Sequence, residues 1–342
     1  MTGDDRHVAL LGATGFTGRL VAAELTRRGI PHRLGGRSAT RLAAVPSPAE
    51  QHLVEITDPP SLDAFLDGVD VLISCVGPFT LHGMPVVEAA VRTGTPYVDS
   101  TGEFGFMAQV YERFAVAASA VVPACGFDYL PGDLAAAVAV EELGGPADEV
   151  DVVYRLSGMR PSRGTAQSAA AAVSSATVVP HRLSCSGPDG PLSAVEVPWG
   201  ERVTVPRHVP GARVRTGLVA PDLVTRVAAA AAPLSPLIGA LTKATAPLLD
   251  RLAQRLPEGP PDAVRGRAEA LVVAEARGRG RSAAVAVRCR DIYGLTARLL
   301  VESALQVTGT GAMAPAEALP ARDFLDAVTG SDTNGELSWR VL

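Results

Sequence analysis

Lysine is almost absent from this chain. Of 31 basic residues only Lys243 is a lysine, so chemistry that needs a lysine rests on Lys243 or does not occur. A catalytic Tyr-x-x-x-Lys pair fails at once. Four residues after Tyr97, Tyr111, Tyr129, Tyr154 and Tyr293 stand Thr101, Ala115, Asp133, Gly158 and Ala297. Cysteine is scarce too. Cys75, Cys125, Cys185 and Cys289 form no C-x-x-C pair and match no zinc spacing, so no metal site is expected. Few, scattered cysteines in a long chain read as reduced thiols of an intracellular protein. A surplus of positive charge is missing: the net charge is −5, which gives no support for a nucleic-acid partner.

Long apolar runs are missing as well. The strongest, 227–242 between Arg226 and Lys243, is 16 residues long and holds Pro233 and Pro236. A spanning helix needs about 20 apolar residues, so no integral membrane segment is expected. The polar start, with Asp4 and Asp5, leads straight into an apolar strand and does not read as a signal peptide. A soluble, cytoplasmic protein is the expectation.

What is present is regular. A length of 342 residues suggests two domains at about 150 residues each. Short apolar runs at 8–11, 33–36, 53–56, 69–75, 97–99 and 120–124 read as strands. Helical patterns at 17–28, 61–66, 86–92 and 109–118 separate most of them. That alternation predicts an α/β fold with a doubly wound parallel sheet. Past Gly126 the order loosens. Helices are predicted at 134–143, 164–176, 224–256, 295–305 and 321–328. A strand is expected at 149–156 and strand-and-turn structure over 183–215. A hairpin is read at 268–277 and 283–289, and a last strand at 337–342. This part reads as a mixed α+β domain.

Gly12-Ala13-Thr14-Gly15-Phe16-Thr17-Gly18 follows a predicted strand and opens a predicted helix, the context a dinucleotide site requires. The glycines allow a tight turn, close approach of backbone to pyrophosphate, and close helix–strand packing. Gly12, Thr14, Gly15, Phe16 and Thr17 are therefore cofactor-binding candidates. An NAD site carries Asp or Glu about 20 residues on. No acidic residue lies between Glu24 and Glu50, and the second strand ends Gly36-Arg37-Ser38. Arg37 can clamp a 2′-phosphate and Ser38 can add a hydroxyl, so NADPH is the expected cofactor. Asp58 sits where adenine is met in such sheets, or else caps the next helix. Cys75-Val76-Gly77-Pro78-Phe79 follows the fourth strand on the ligand side, with Phe79 placed to cover a nicotinamide. Cys75 has no neighbouring base and reads as a small buried hydrophobe.

These motifs, with Tyr97-Val98-Asp99-Ser100-Thr101-Gly102-Glu103 and Cys125-Gly126-Phe127-Asp128-Tyr129-Leu130-Pro131-Gly132-Asp133, resemble the saccharopine dehydrogenase-like oxidoreductases. The nearest branch is the trans-acting enoyl reductases. Leu256-Pro257-Glu258-Gly259-Pro260, 277–280 and Asp291-Ile292-Tyr293-Gly294-Leu295-Thr296-Ala297 are similar to that branch too. A small residue often stands in the family where this chain has Tyr129. The resemblance implies an NADP-binding Rossmann domain over 1–130, a mixed α+β substrate and dimerisation domain over 131–310, and a segment 311–342 returning to the first. It also implies hydride transfer from NADPH to an activated C=C or C=N bond.

Within that frame Tyr129 and Asp128 are the catalytic candidates, Tyr129 as proton donor or packing residue, Asp128 as orienting group or helix cap. Asp99 and Glu103 end the fifth strand on the same rim. His82 is a weaker acid, and Arg160 and Arg163 are anion-binding candidates or exposed arginines. The apolar segment 219–256 suits an apolar, small-molecule or carrier-bound acyl substrate, or is an ordinary helix pair. An imine or saccharopine-type reaction and a non-catalytic NADPH sensor are the alternatives. A homodimer is expected through the hairpin, whose edge or face needs covering.

Overall fold

Val8–Leu11 is a run of apolar residues without alternation, and all four are buried, as a strand covered on both faces requires. This computed structural model describes residues 6–166, 181–221, 223, 225, 226, 252, 254–331 and 337–342. In chain order the elements begin β1 (Val8–Leu11), α1 (Phe16–Arg27), β2 (His32–Gly36), α2 (Ala39–Ala43), β3 (Glu50–Leu53), α3 (Pro59–Leu66), β4 (Val71–Ser74) and α4 (Phe79–Thr93). There follow β5 (Tyr97–Asp99), α5 (Phe104–Arg113), β6 (Ala120–Val122), α6 (Leu130–Leu143), β7 (Glu149–Ser157), β8 (Arg182–Cys185), β9 (Leu192–Glu196) and α7 (Glu201–His208). Last come β10 (Arg213–Val219), α8 (Asp262–Arg265), β11 (Glu269–Gly278), β12 (Arg281–Arg290), α9 (Ile292–Gln306), β13 (Gly311–Ala312), α10 (Pro315–Ala318), α11 (Ala321–Gly330) and β14 (Leu337–Val341).

The chain divides into two units, Met1–Asp128 with Tyr293–Leu319 and Tyr129–Ile292 with Pro320–Leu342. The segment from 311 onward is thus shared, its first part in one unit and the rest in the other.

The first unit holds a seven-stranded sheet in the order β13-β6-β5-β4-β1-β2-β3, and every pairing is parallel. This is the doubly wound arrangement, with the order reversing between β1 and β4. The third strand departs from expectation. It runs over Glu50–Leu53 rather than 53–56, with Leu53 opposite Gly36 and Val54 donating beyond it to the Gly36 carbonyl at 3.0 Å. Its exposed polar residues belong to a sheet edge, while Val54 is buried past the strand end.

The second unit holds a seven-stranded sheet in the order β14-β12-β11-β7-β10-β9-β8, antiparallel except for β7 with β10. Helix α6, rich in alanine and buried along most of its length, packs on β11 and β12. On β7 the buried Asp151 accepts from both the Nε and an Nη of Arg215, at 2.6 and 2.8 Å, and pairs with Arg277. A carboxylate with no solvent contact stands only with such partners; removing one leaves a buried charge at a cost of about 3–5 kcal/mol. The hairpin β11–β12 does not offer the free edge expected of it: β7 flanks one side and β14 the other, and the sheet edges are β8 and β14. The stretch 183–215 holds α7, where only strands and turns were expected. The helix read at 164–176 is helical over its described residues 164–166; the rest of it and most of the apolar segment 219–256 lie outside the described residues.

Candidate functional site

The site in the first unit is built where the loops after β1 and β4 meet. Gly12 takes φ +83°, and a Cβ there would stand 2.8 Å from the Cys75 carbonyl carbon and oxygen. Only glycine lets the two strand ends lie this close. Cys75 donates its N–H to Leu11 at 2.9 Å, and Gly12 and Ala13 donate to the Gly35 carbonyl, closing the turn over three strands. At Gly18 a Cβ would fall 2.1 Å from the Gly12 oxygen, which fixes why helix and strand lie in contact. Gly15 is the N-cap of α1 and supplies no side-chain cap, so Phe16 and Thr17 begin the helix with backbone N–H groups directed outward from the first turn. That is the donor set a pyrophosphate takes. Phe16 is also fixed from outside: its ring meets Tyr293 of α9 edge-on, with centroids 5.1 Å apart.

At the end of β2, Arg37 is exposed and Ser38 is the N-cap of α2, its hydroxyl accepting from the Arg41 N–H at 3.4 Å. Two further arginines converge here that sequence reading missed. Arg19 and Arg41 donate to the Thr14 carbonyl at 2.7 and 3.1 Å. The signal available was a second arginine, Arg41, close behind Arg37 and just past the Ser38 cap. Glu55 carries a carboxyl held below its usual value, chiefly by hydrogen bonds from Thr57, with the Arg37 charge adding to the effect. Asp58 is the N-cap of α3 by position, without a side-chain cap bond.

After β4, Val76, Gly77 and Pro78 carry the chain into α4. Phe79 is buried and its ring packs on Phe106 at 5.6 Å, within the core. Burial drives the Cys75 thiol up to about 12, so it is no thiolate nucleophile at neutral pH. Glu103 is buried. It caps α4, accepting from the N–H groups of Phe79 and Thr80 at 2.8 and 2.9 Å.

Beyond β5, Asp99 is fully buried and saturated. It accepts from the Tyr97 hydroxyl at 2.7 Å and from the N–H groups of Thr101 and Ala124 at 2.9 and 2.8 Å. Burial nevertheless raises its carboxyl to about 6, against the pull of these bonds, and the Glu103 charge pushes the same way. Ala124, at φ +65°, turns the chain after β6. The next residues are held by α9. Phe127 donates to the Thr296 hydroxyl at 3.3 Å, and a Cβ on Gly126 would stand 3.3 Å from the Thr296 methyl. Asp128 ends this stretch. The residue is exposed, yet crowding by protein raises its carboxyl to about 6. Gly102 makes room for it, since a Cβ there would lie 2.7 Å from Asp128 Oδ2.

Tyr129 is the first residue of the second unit. It is buried, and its ring lies so close to Gly200 that a Cβ there would stand 2.5 Å away. Asp133 in the first turn of α6 meets His208 Nε2 at 2.8 Å. Arg163 donates its Nε–H to the Leu256 carbonyl at 2.9 Å, and Arg160 is exposed. Among the described residues no three His, Cys, Asp or Glu side chains gather to hold a metal, and no helix is long and apolar enough to cross a membrane.

With this geometry in place, the likenesses are specific. Residues 8–122 match the sequence profile of the saccharopine dehydrogenase NADP binding domain. A trans-acting enoyl reductase of Mycobacterium tuberculosis is 38% identical over 140 residues, covering 37% of this chain and 34% of that protein. A probable mitochondrial saccharopine dehydrogenase-like oxidoreductase of Arabidopsis thaliana is 37% identical over 149 residues, covering 37% of this chain and 33% of that one. The match thus spans about a third of these relatives' length. The solved apo saccharopine dehydrogenase (L-Glu forming) of Saccharomyces cerevisiae superposes with a TM-score of 0.65 at 14% identity, covering 98% of this chain and 100% of that one, a likeness of fold.

Proposed function

From a chain whose residues 8–122 match the saccharopine dehydrogenase NADP binding domain, we propose an NADPH-dependent reductase that acts on a polarised C=C bond of an apolar acyl substrate. The observation that carries the reading is the loop Gly12–Gly18 against Cys75 at the reversal of the sheet, with Arg37 just after β2 and Arg41 in α2. The pyrophosphate would rest on the N–H groups of Phe16 and Thr17, since that of Gly15 donates to the Gly12 carbonyl at 3.0 Å, and the 2′-phosphate beside Arg37, Ser38 and Arg41. Bound there, NADPH supplies the hydride. The enoyl class is favoured by the likeness to the trans-acting enoyl reductase of Mycobacterium tuberculosis.

The chain must supply the proton. Asp128 suits the task better than Tyr129: it is exposed, and a carboxyl raised to about 6 keeps a protonated fraction near neutral pH. Tyr129 is buried against Gly200 and positions the start of α6. The likeness to the Arabidopsis oxidoreductase keeps C=N reduction as a second reading.

Enoyl thioesters and keto acid plus amine mixtures, run in parallel with NADPH, test this. Oxidation of NADPH with the thioesters alone is expected. Oxidation with the imine mixtures alone moves the reading to C=N. NADPH binding with neither oxidation leaves a sensor and overturns the proposal.

A further inference from the structure

The stretch Ala124 to Asp128 follows β6 at the ligand side of the sheet, and it begins on a strained residue. Ala124 holds φ +65°, is buried, and is not glycine. An L side chain in this region stands against its own carbonyl, so something else must hold it there. The holder is visible. Asp99 Oδ1 accepts the Ala124 N–H at 2.8 Å and the Thr101 N–H at 2.9 Å, while the Asp99 backbone carbonyl accepts from Cys125, also at 2.8 Å. Tyr97 occupies Oδ2 through its hydroxyl. One residue thus binds both loops that leave β5 and β6.

A fully buried carboxylate is an expensive way to pack a sheet end, and a neutral side chain would fill the space at less cost. We propose that Asp99 is a positioning residue: its carboxylate holds Ala124 in the left-handed turn and so sets the path of the stretch that ends on Asp128. Thr296 fixes the same stretch from α9, so the path is pinned at both ends. This rests on the reading above that Asp128 serves the reaction. The device then separates two demands. The cofactor loop depends on Gly12, Gly15 and Gly18, the proton-bearing stretch on Asp99, and each can be disturbed without the other.

The test uses the full chain as parent, Asp99→Ala, Ala124→Gly and the double variant. Amide hydrogen exchange is read over 120–128, NADPH affinity by its fluorescence, and kcat and KM with an enoyl thioester. In Asp99→Ala, exchange over that stretch is expected to rise at least about ten-fold and kcat to fall about a hundred-fold, with NADPH affinity within about three-fold. Ala124→Gly in that background is expected to regain about ten-fold in kcat, because glycine takes the left-handed turn without a holder. Loss of packing alone would show no such recovery. Unchanged exchange and kcat in Asp99→Ala, or no recovery in the double variant, overturns the proposal. Should Asp99→Ala not fold, Ala124→Val decides: a branched side chain resists the turn, so kcat should fall with NADPH affinity kept, and an unchanged kcat overturns the proposal. A parent that turns over no substrate refutes the reductase reading instead, and the exchange arms still report whether Asp99 holds the turn.

Discussion

Phe16 and Tyr293 meet edge to face, ring centroids 5.1 Å apart at an interplanar angle of 80°. The glycine loop of the candidate nucleotide site is therefore buttressed by a helix from the far end of the sequence. An aromatic pair of this geometry adds about 0.5–1.5 kcal/mol beyond its buried area.

Tyr293→Ala should lower stability by about 3–5 kcal/mol and weaken NADPH binding, since it removes the support of the first turn of α1. Tyr293→Phe keeps the ring pair and should do neither beyond about 1 kcal/mol. Thermal unfolding and an NADPH titration on the two variants check this. Equal NADPH affinity in parent and Tyr293→Ala would show that the loop stands without it.

Arg37→Ala and Arg41→Ala should each weaken NADPH while barely changing NADH. A charge-assisted contact to phosphate is worth about 1.5–3 kcal/mol, so roughly ten- to a hundred-fold is expected. Arg41 carries the added role of holding the Thr14 carbonyl, so its loss should also touch NADH slightly. A parent with equal affinity for both cofactors would sink the assignment.

If Asp128 donates the proton, kcat should be level at acid pH and fall as pH rises through about 6, where the carboxyl loses its proton. Asp128→Asn should cost about a hundred-fold and remove the pH dependence. Tyr129→Phe distinguishes the two candidates: near-parental turnover is expected, and a hundred-fold loss with NADPH still bound would shift the role to Tyr129.

Asp99 gives a stability prediction with a definite sign. Its carboxyl rises from 3.8 to about 6 on folding, so between those values the folded chain holds the extra proton. Its stabilising contribution is therefore full below about pH 4 and is lost as pH rises through 6, up to about 3 kcal/mol. Asp99→Asn keeps the Oδ1 acceptor and asks only that Tyr97 turn its hydroxyl to accept. Relative to that variant, the parent should lose stability between pH 4.5 and 7.5 in urea unfolding. A constant difference across that range would contradict a raised carboxyl.

Much of the first unit was legible because its signals are local. Glycines at 12, 15 and 18 answer to steric contacts within one turn and its neighbouring strand, and unbroken apolar runs mark strands covered on both faces. The slip of β3 arose from Val54, which is apolar and buried yet lies beyond the ladder at a polar edge. Helix α7 escaped notice because Val203, Thr204, Val205 and Pro206 favour strand or turn, and its place is set by tertiary contacts such as that of Glu201 with Tyr154. Glu103 could not be read as a cap, for the N–H groups it serves lie 24 and 23 residues earlier in the chain. The same limit hid the address of 293–319. A helical period shows that α9 has a buried face, and nothing in the period says which core receives it.

That address bears on how the protein is made. Strand β6 remains an open edge until Gly311 and Ala312 arrive to pair with it, and Phe16 lacks its edge-on partner until Tyr293 is synthesised. On the ribosome, the unit begun first is finished only after the polypeptide of the other is almost wholly translated. A message cut short before the codon for Tyr293 would thus release a first unit with an open edge at β6 and a loosened glycine loop, a product for chaperones and proteases rather than a smaller working part.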